Sequence, residues 1–213
     1  MKIRYLGHAC FEFTSQNGTK VITDPYTKVG YELPNGLSAD LVTVSHGHFD
    51  HCYTQAVKTN CIIRDSGKYF IQGVEICSIS SFHDGAQGAL RGNNVIYKMK
   101  MDGITLCHMG DIGEECSETL ANEIGFVDVL FIPVGGTYTV DSYGAKEYIQ
   151  RLQPKVVIPM HYKPEDGALD IAGIESFVRL YPVEEIRFVE DGVVELNQQT
   201  SGIICMKRVK IHD

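Results

Sequence analysis

No run of roughly 18 apolar residues is present, so a membrane-spanning helix is not expected. The N-terminus passes straight into Lys2-Ile3-Arg4-Tyr5-Leu6. That segment has no charged-then-apolar leader, so no signal peptide is expected and the cytoplasm is the expected location. No Cys-x-x-Cys pair occurs among the seven cysteines Cys10, Cys52, Cys61, Cys77, Cys107, Cys116 and Cys205. Their odd count and apolar settings suit buried reduced thiols rather than a disulfide framework. No Gly-x-x-x-x-Gly-Lys stretch is found, which removes a P-loop nucleotide site. Positive charge is scarce: 19 Lys and Arg stand against 27 Asp and Glu, a net of −8. Such a chain repels phosphate polymers, so neither nucleic acid nor an anionic membrane is an expected partner. Repeats, low-complexity tracts and linkers are also missing, which makes 1–213 a single domain in the simplest reading.

What the chain does have is short β-type runs followed by alternating elements. Lys2 to Leu6, Ala9 to Thr14 and Lys20 to Thr23 read as strands, with a hairpin turn at Asn17-Gly18 between the last two. Further strands are predicted at Leu41 to Val44, Cys61 to Arg64, Val74 to Ile79, Val95 to Met101 and Ile104 to Cys107. Asp102-Gly103 makes a second hairpin. Helices are predicted at Cys116 to Ile124 and Asp141 to Leu152, the latter with Asp141 as N-cap. Each leads into an apolar run, Val127 to Ile132 and Lys155 to Pro159. A third helix over Ile171 to Leu180 precedes strands at Ile186 to Val189, Val193 to Leu196 and Ile203 to Lys207. Strand-rich first and alternating later, the pattern is that of a layered α/β domain.

Chemistry concentrates in His46-Gly47-His48-Phe49-Asp50-His51. Three of the eight histidines and a carboxylate fall within these six positions, directly after a buried strand. Imidazole and carboxylate are good ligands for zinc and its neighbours. Gly47 is expected to allow a tight turn that lets the side chains converge. Four ligands in a hexapeptide do not close comfortably on one ion, so the spacing suits two adjacent metals with further ligands from elsewhere.

His-x-His-x-Asp-His resembles the signature of the metallo-β-lactamase superfamily. Gly7-His8-Ala9-Cys10-Phe11-Glu12-Phe13, Asp24-Pro25 and Ser45-His46-Gly47-His48 are similar to its branch of ascorbate-lactonate-type lactonases and related metal-dependent hydrolases. The resemblance runs to about His161 and the helix beyond. It implies a four-layer αββα sandwich, an α/β (α+β) fold with the metals at one edge of the two sheets. It also implies a later histidine, an aspartate and a final histidine, met in order by His83, Asp111 and His161. One metal would then be held by His46, His48 and His83, another by Asp50, His51 and His161, with Asp111 bridging. The implied cofactors are two divalent ions, Zn2+ first, with Mn2+, Fe2+ or Ni2+ as alternatives.

Around that set, His108 is expected to orient a ligand or bond substrate, so that it joins Asp50 and Asp111 as a catalytic candidate; its alternative is to replace His83 as a ligand. Asp24 and His8 are candidates to support the ligands, Asp24 otherwise being a strand-ending turn residue. Arg91-Gly92-Asn93-Asn94, Tyr26 and the Gly135-Gly136 loop are candidates to line a pocket. Cys52 is expected to pack rather than to attack, and His212 to lie at the surface.

The expected reaction is hydrolysis of a small ester, lactone or phosphodiester by a hydroxide held between two metals. Two divalent ions bring a charge of +4; Asp50, Asp111 and hydroxide offset three units. The remaining charge of about +1 favours a small anionic substrate even on an acidic protein. Homo-oligomerisation is compatible with the sequence. Competing readings are a nucleic-acid-processing phosphodiesterase, a di-iron oxidoreductase and a non-catalytic metal-binding protein. The resemblance places a glutamate at the position of His48, and an added flavin domain, in the redox members; the negative charge weighs against nucleic acid.

Overall fold

The computed structural model describes residues 1–210; His212 lies outside them. In chain order the strands are β1 Lys2–Gly7, β2 Cys10–Thr14, β3 Lys20–Thr23, β4 Leu37–Ser38, β5 Leu41–Thr43, β6 Val57–Lys58, β7 Ile62–Ile63, β8 Gly67–Ile71, β9 Val74–Phe82, β10 Asn93–Met101 and β11 Ile104–His108. Helix α1 Glu118–Ile124, β12 Val129–Pro133, α2 Ser142–Leu152, β13 Val156–Met160, α3 Glu175–Val178, β14 Ile186–Val189, β15 Val193–Glu195 and β16 Gly202–Met206 complete them.

Two sheets result. The smaller has the order β15-β1-β2-β3-β5-β7 and the larger β14-β16-β13-β12-β11-β10-β9-β8, with β4 and β6 as a separate ladder. Alternation of side chains across a strand explains how they stack. On β3 and β5, Val21 and Leu41 join a core shared with Ile96, Met99, Leu106, Phe131 and Ile158 of the larger sheet. Their neighbours Ile22 and Val42 point the other way, into a second cluster with Tyr26, Val29, Leu37 and Val57. Segment 25–39 and the β4–β6 ladder thus cover the outer face of the smaller sheet. The α-helices gather elsewhere, with α2 packed on β12 and touching α1 and α3.

Local signals explain most boundaries. The two loop residues Asp102 and Gly103 both have positive φ, 52° and 75°, as a primed two-residue turn requires. Asp141 accepts the N–H groups of Tyr143 and Gly144 at 3.0 and 2.9 Å and so caps α2. The third predicted helix is much shorter than expected. Ala172 N–H bonds the Gly135 carbonyl and Lys163 N–H bonds the Ala172 carbonyl. These long-range bonds hold residues 171–173 out of helix, and α3 covers only Glu175–Val178. Strands β4, β6 and β8 have no counterpart in the sequence reading.

Strand direction locates the site. β1 and β3 are each antiparallel to β2, and β5 is parallel to β3. Likewise β9 and β11 are each antiparallel to β10, while β12 and β13 run parallel to β11. Strands β1, β3 and β5 of one sheet and β9, β11 and β13 of the other therefore share a direction within their own sheet. The residues just beyond their C-terminal ends are His8, Asp24, the His46–His51 hexapeptide, His83, Asp111 and His161.

Candidate metal centre

All seven sequence-derived ligand candidates come together there. His46, His48 and His83 present ligand atoms within 4.8 Å of one another, and Asp50, His51 and His161 do so together with His8. Asp111 lies between the sets. Its Oδ1 is 3.1 Å from His51 Nε2, and its Oδ2 is 3.2 Å from His161 Nε2, 3.3 Å from His83 Nε2 and 3.8 Å from His46 Nε2. Asp111 is 1% exposed, and His51 and His161 are fully buried.

Two of the rings are engaged on their far side. His51 Nδ1 donates to Asp24 Oδ2 at 2.9 Å, and His83 Nδ1 donates to the Tyr138 carbonyl at 3.0 Å. Each bond fixes a ring orientation and leaves Nε2 facing the cluster. Asp24 is pinned in turn, accepting Ser45 N–H on Oδ1 at 2.7 Å and Ser45 Oγ–H on Oδ2 at 2.6 Å. Asp24 is thus hydrogen-bonded to a cluster imidazole as well as ending β3. The Ser45 hydroxyl also lies 3.0 Å from His46 Nδ1.

His8 sits deeper in the cluster than a supporting role required. Its Nε2 is 3.3 Å from Asp50 Oδ2 and its ring centroid 4.2 Å from that of His161. Asn94 is a residue the sequence reading undervalued. Fully buried, it accepts Asp111 N–H on Oδ1 at 2.9 Å and donates through Nδ2 to Ser81 Oγ and the Met109 carbonyl. A lone buried Asn beside a ligand turn leaves a sequence trace only in its polarity at the head of an apolar strand.

Burial favours the neutral form of three of the cluster imidazoles. Burial pushes His46 down to about 3 and His8 to about 4, and lowers His48 as well. Burial also resists charging of His51, but Asp111 and Asp24 beside it raise it well above its ordinary value. Asp111 is held well below the usual carboxylate range: burial opposes this, and His161 and His51 outweigh it.

The donor set fits divalent metal ions. His51 Nε2, His161 Nε2 and Asp111 Oδ1 are buried and lack any hydrogen-bond partner of acceptable geometry. An unpaired buried polar atom costs about 1–3 kcal/mol, and several in one spot call for a ligand that satisfies them together. Neutral imidazole and carboxylate in this number are donors for zinc-like ions.

Three expectations need correction. His108 does not join the cluster. Its Nε2 donates to the Ala9 carbonyl at 2.8 Å, and its Nδ1 accepts Gly110 N–H at 3.3 Å. Fully buried against Phe11 and Phe131, with both nitrogens on backbone, it has no atom left for substrate or ligand, and instead ties the Asp111 turn to the smaller sheet. Gly47 is not a steric requirement, since a Cβ there would meet nothing within 4 Å. The demanding glycine is Gly110 (φ 55°), where a Cβ would collide with Asn94 and Ser45. Gly135, expected to approach substrate, instead lets its backbone close on the His161 carbonyl, where a Cβ would collide. Cys52 packs against the metal loop, with Sγ 3.3 Å from the Gly47 carbonyl.

With fold and site in view, the likeness to known proteins is specific. The family model for the beta-lactamase superfamily domain matches residues 2–161, and the chain belongs to that superfamily. Within it, a UPF0173 metal-dependent hydrolase of Carboxydothermus hydrogenoformans is 32% identical over 197 residues, 76% of this chain and 84% of that one. Its counterpart in Thermococcus kodakarensis is 28% identical over 223 residues, 87% of this chain and 99% of that one. This protein is accordingly a member of that metal-dependent hydrolase family. A crystal structure from Thermotoga maritima, assigned as a Zn-dependent hydrolase of the metallo-beta-lactamase superfamily, shares 34% identity. The two align with a TM-score of 0.80 over 98% of this chain and 99% of that one.

Proposed function

We propose that the chain hydrolyses a small ester, lactone or phosphodiester at a centre of two divalent ions, zinc first among them. His46, His48 and His83 would hold one ion and Asp50, His51 and His161 the other, with Asp111 shared. The observation that carries this reading is the position of Asp111, whose two oxygens face histidines of both sets.

Bound there, divalent ions supply Lewis acidity and a water of lowered pKa, which is hydrolytic chemistry without a side-chain nucleophile. The protein's own residues do the positioning. Asp24 and the Tyr138 carbonyl set the rings of His51 and His83, and Asn94 sets the backbone of Asp111. Asp50 is the least enclosed carboxylate of the set, its side chain 13% exposed against 2% for Asp111. Burial would raise its carboxyl, but His8 and His51 beside it hold it well below the usual carboxylate range, which keeps it an ionised donor for the metal. Cys52, bonded to backbone, takes no part.

The test is a panel of activated esters, lactones and phosphodiesters with metal-loaded protein. At least one class is expected to turn over, to stop with chelator and to resume with Zn2+ or Mn2+. Turnover that survives complete chelation contradicts the proposal.

A further inference from the structure

We infer that Arg91 recognises an anionic group of the substrate, which makes the substrate a compact carboxylate- or phosphate-bearing molecule. This rests on the hydrolase reading of the neighbouring metal site.

Arg91 ends a loop that is built rather than loose. Asp84 is 4% exposed and collects four backbone N–H groups. Its Oδ1 accepts from Ala86 and Gly88 at 2.8 and 2.9 Å, and its Oδ2 from Leu90 and Arg91 at 3.0 and 2.7 Å. Gly92 closes the loop by accepting His83 N–H at 3.0 Å. One carboxylate thus fixes residues 84–91, and the loop begins and ends on a cluster histidine. Carboxylates that accept several N–H groups are strong local anchors.

The side chain is aimed by Tyr138. The Arg91 guanidinium carbon lies 5.4 Å from the centroid of that ring, while the Tyr138 carbonyl holds His83 Nδ1 at 3.0 Å. Guanidinium and cluster histidine are therefore positioned by the same residue. Some cations are tied to carboxylates: Arg4 pairs with Glu12, Lys155 with Asp128, Lys207 with Glu190 and Arg208 with Asp166. Among the described residues, Arg91 has no such carboxylate. A guanidinium held over an aromatic ring keeps its edge donors free, and that edge matches carboxylate or phosphate in bidentate fashion. Leu90 beside it is 73% exposed and Tyr138 37% exposed, which gives the anion an apolar flank. What sets Arg91 apart from the other cations without a carboxylate is its place: a loop locked by Asp84, and a ring whose own backbone holds His83.

The probe is phenylphosphonate, an arylated anion with no hydrolysable bond. Its binding to zinc-loaded wild type, Arg91→Lys and Arg91→Gln is measured by calorimetry, with metal content and thermal midpoint recorded for each. Arg91→Gln is expected to bind about 10–100-fold more weakly, the range of a lost hydrogen bond to a charged group, with Arg91→Lys in between. Metal content and midpoint should match wild type. Equal affinity of wild type and Arg91→Gln at full metal content overturns the inference, as does wild type that fails to bind the probe. A loss of metal or folding in Arg91→Gln that Arg91→Lys does not rescue would make the loop a structural prop and also overturns it. Arg91-dependent binding by a protein that turns over nothing would retain the anion site and reject hydrolysis. Turnover indifferent to Arg91, with unchanged probe affinity, would do the reverse.

Discussion

His161 N–H donates to the carbonyl of His8 at 3.0 Å, and the two residues, from different sheets, share the left-handed region at φ 51° and 55°. Non-glycine residues rarely adopt that conformation, and each instance costs about 1–3 kcal/mol unless its surroundings enforce it. Here the enforcement is mutual. The His8 carbonyl also accepts Tyr5 Oη–H at 3.0 Å, and the result puts the His8 ring against His161 and its Nε2 by Asp50. Strain at the ends of β1 and β13 is thereby tied to the geometry of one ligand set.

That link predicts an asymmetric effect of His8→Gln. Metal affinity at the Asp50, His51 and His161 set should fall about 10–100-fold, the usual range for removing a partner that orients a ligand. The His46, His48 and His83 set should be little changed. Stepwise metal titration by calorimetry reads the two separately; equal weakening of both steps would contradict the asymmetry.

His83 and His108, similar in sequence setting, should part on mutation. His83→Ala should lose metal. His108→Ala should keep its metal and unfold more easily by about 1–3 kcal/mol, because it removes a buried hydrogen bond to the Ala9 carbonyl, which keeps only the Thr23 hydroxyl, and the ring packed against Phe11 and Phe131. Urea unfolding beside elemental analysis separates the two, and a His108→Ala variant depleted of metal at wild-type stability would restore its candidacy as a ligand.

Two glycines offer a second contrast. Gly110→Ala meets Asn94 and Ser45 at positive φ and should destabilise the protein by about 2 kcal/mol or more, with loss of metal through the displaced Asp111. Gly47→Ala should stay within about 1 kcal/mol of wild type. A severe Gly47→Ala phenotype with a mild Gly110→Ala would reverse the assignment of the critical turn.

Acid should weaken the metal-free fold in a defined window. His46 and His8 have folded values near 3 and 4 against an ordinary 6.5. Above about pH 6.5 they are neutral folded or unfolded. Below it the unfolded chain takes up protons that the folded chain refuses, so stability falls as pH drops toward 4. His51 acts oppositely, since its raised value stabilises at low pH and fades as pH rises through it. Lowered imidazoles, which include His48 and His108, outnumber it. Asp111 and Asp24, held low, contribute above the ordinary carboxylate range and are lost below it. The thermal midpoint of chelated protein should therefore be several degrees lower at about pH 5 than at about pH 7.5; an equal or higher midpoint at pH 5 contradicts the balance.

Much of this architecture was legible because local chemistry and tertiary structure agree. Asp102-Gly103 needs only its two backbone conformations to make a hairpin, and Asp141 needs only two nearby N–H groups to cap α2. The cluster residues were legible because each stands on the segment that follows an apolar strand run. What escaped depends on contacts distant in sequence. β8 opens on Gly67 at an edge of the larger sheet, with exposed Lys68 and Phe70, and gives no clean alternation. The roles of Asn94 and His8 exist only once β10 and β1 meet the Asp111 turn and the hexapeptide. His108 misled because its spacing from Asp111 suggested proximity, whereas its ring points into the Phe11 and Phe131 packing.

Metal stoichiometry tests the central claim most directly. Protein expressed with supplemented zinc or manganese and freed of loose ions should carry close to two equivalents per chain by elemental analysis. Asp111→Ala should retain one or fewer while remaining folded by circular dichroism. Folded wild type that binds no metal, or Asp111→Ala that keeps both equivalents, would contradict the account.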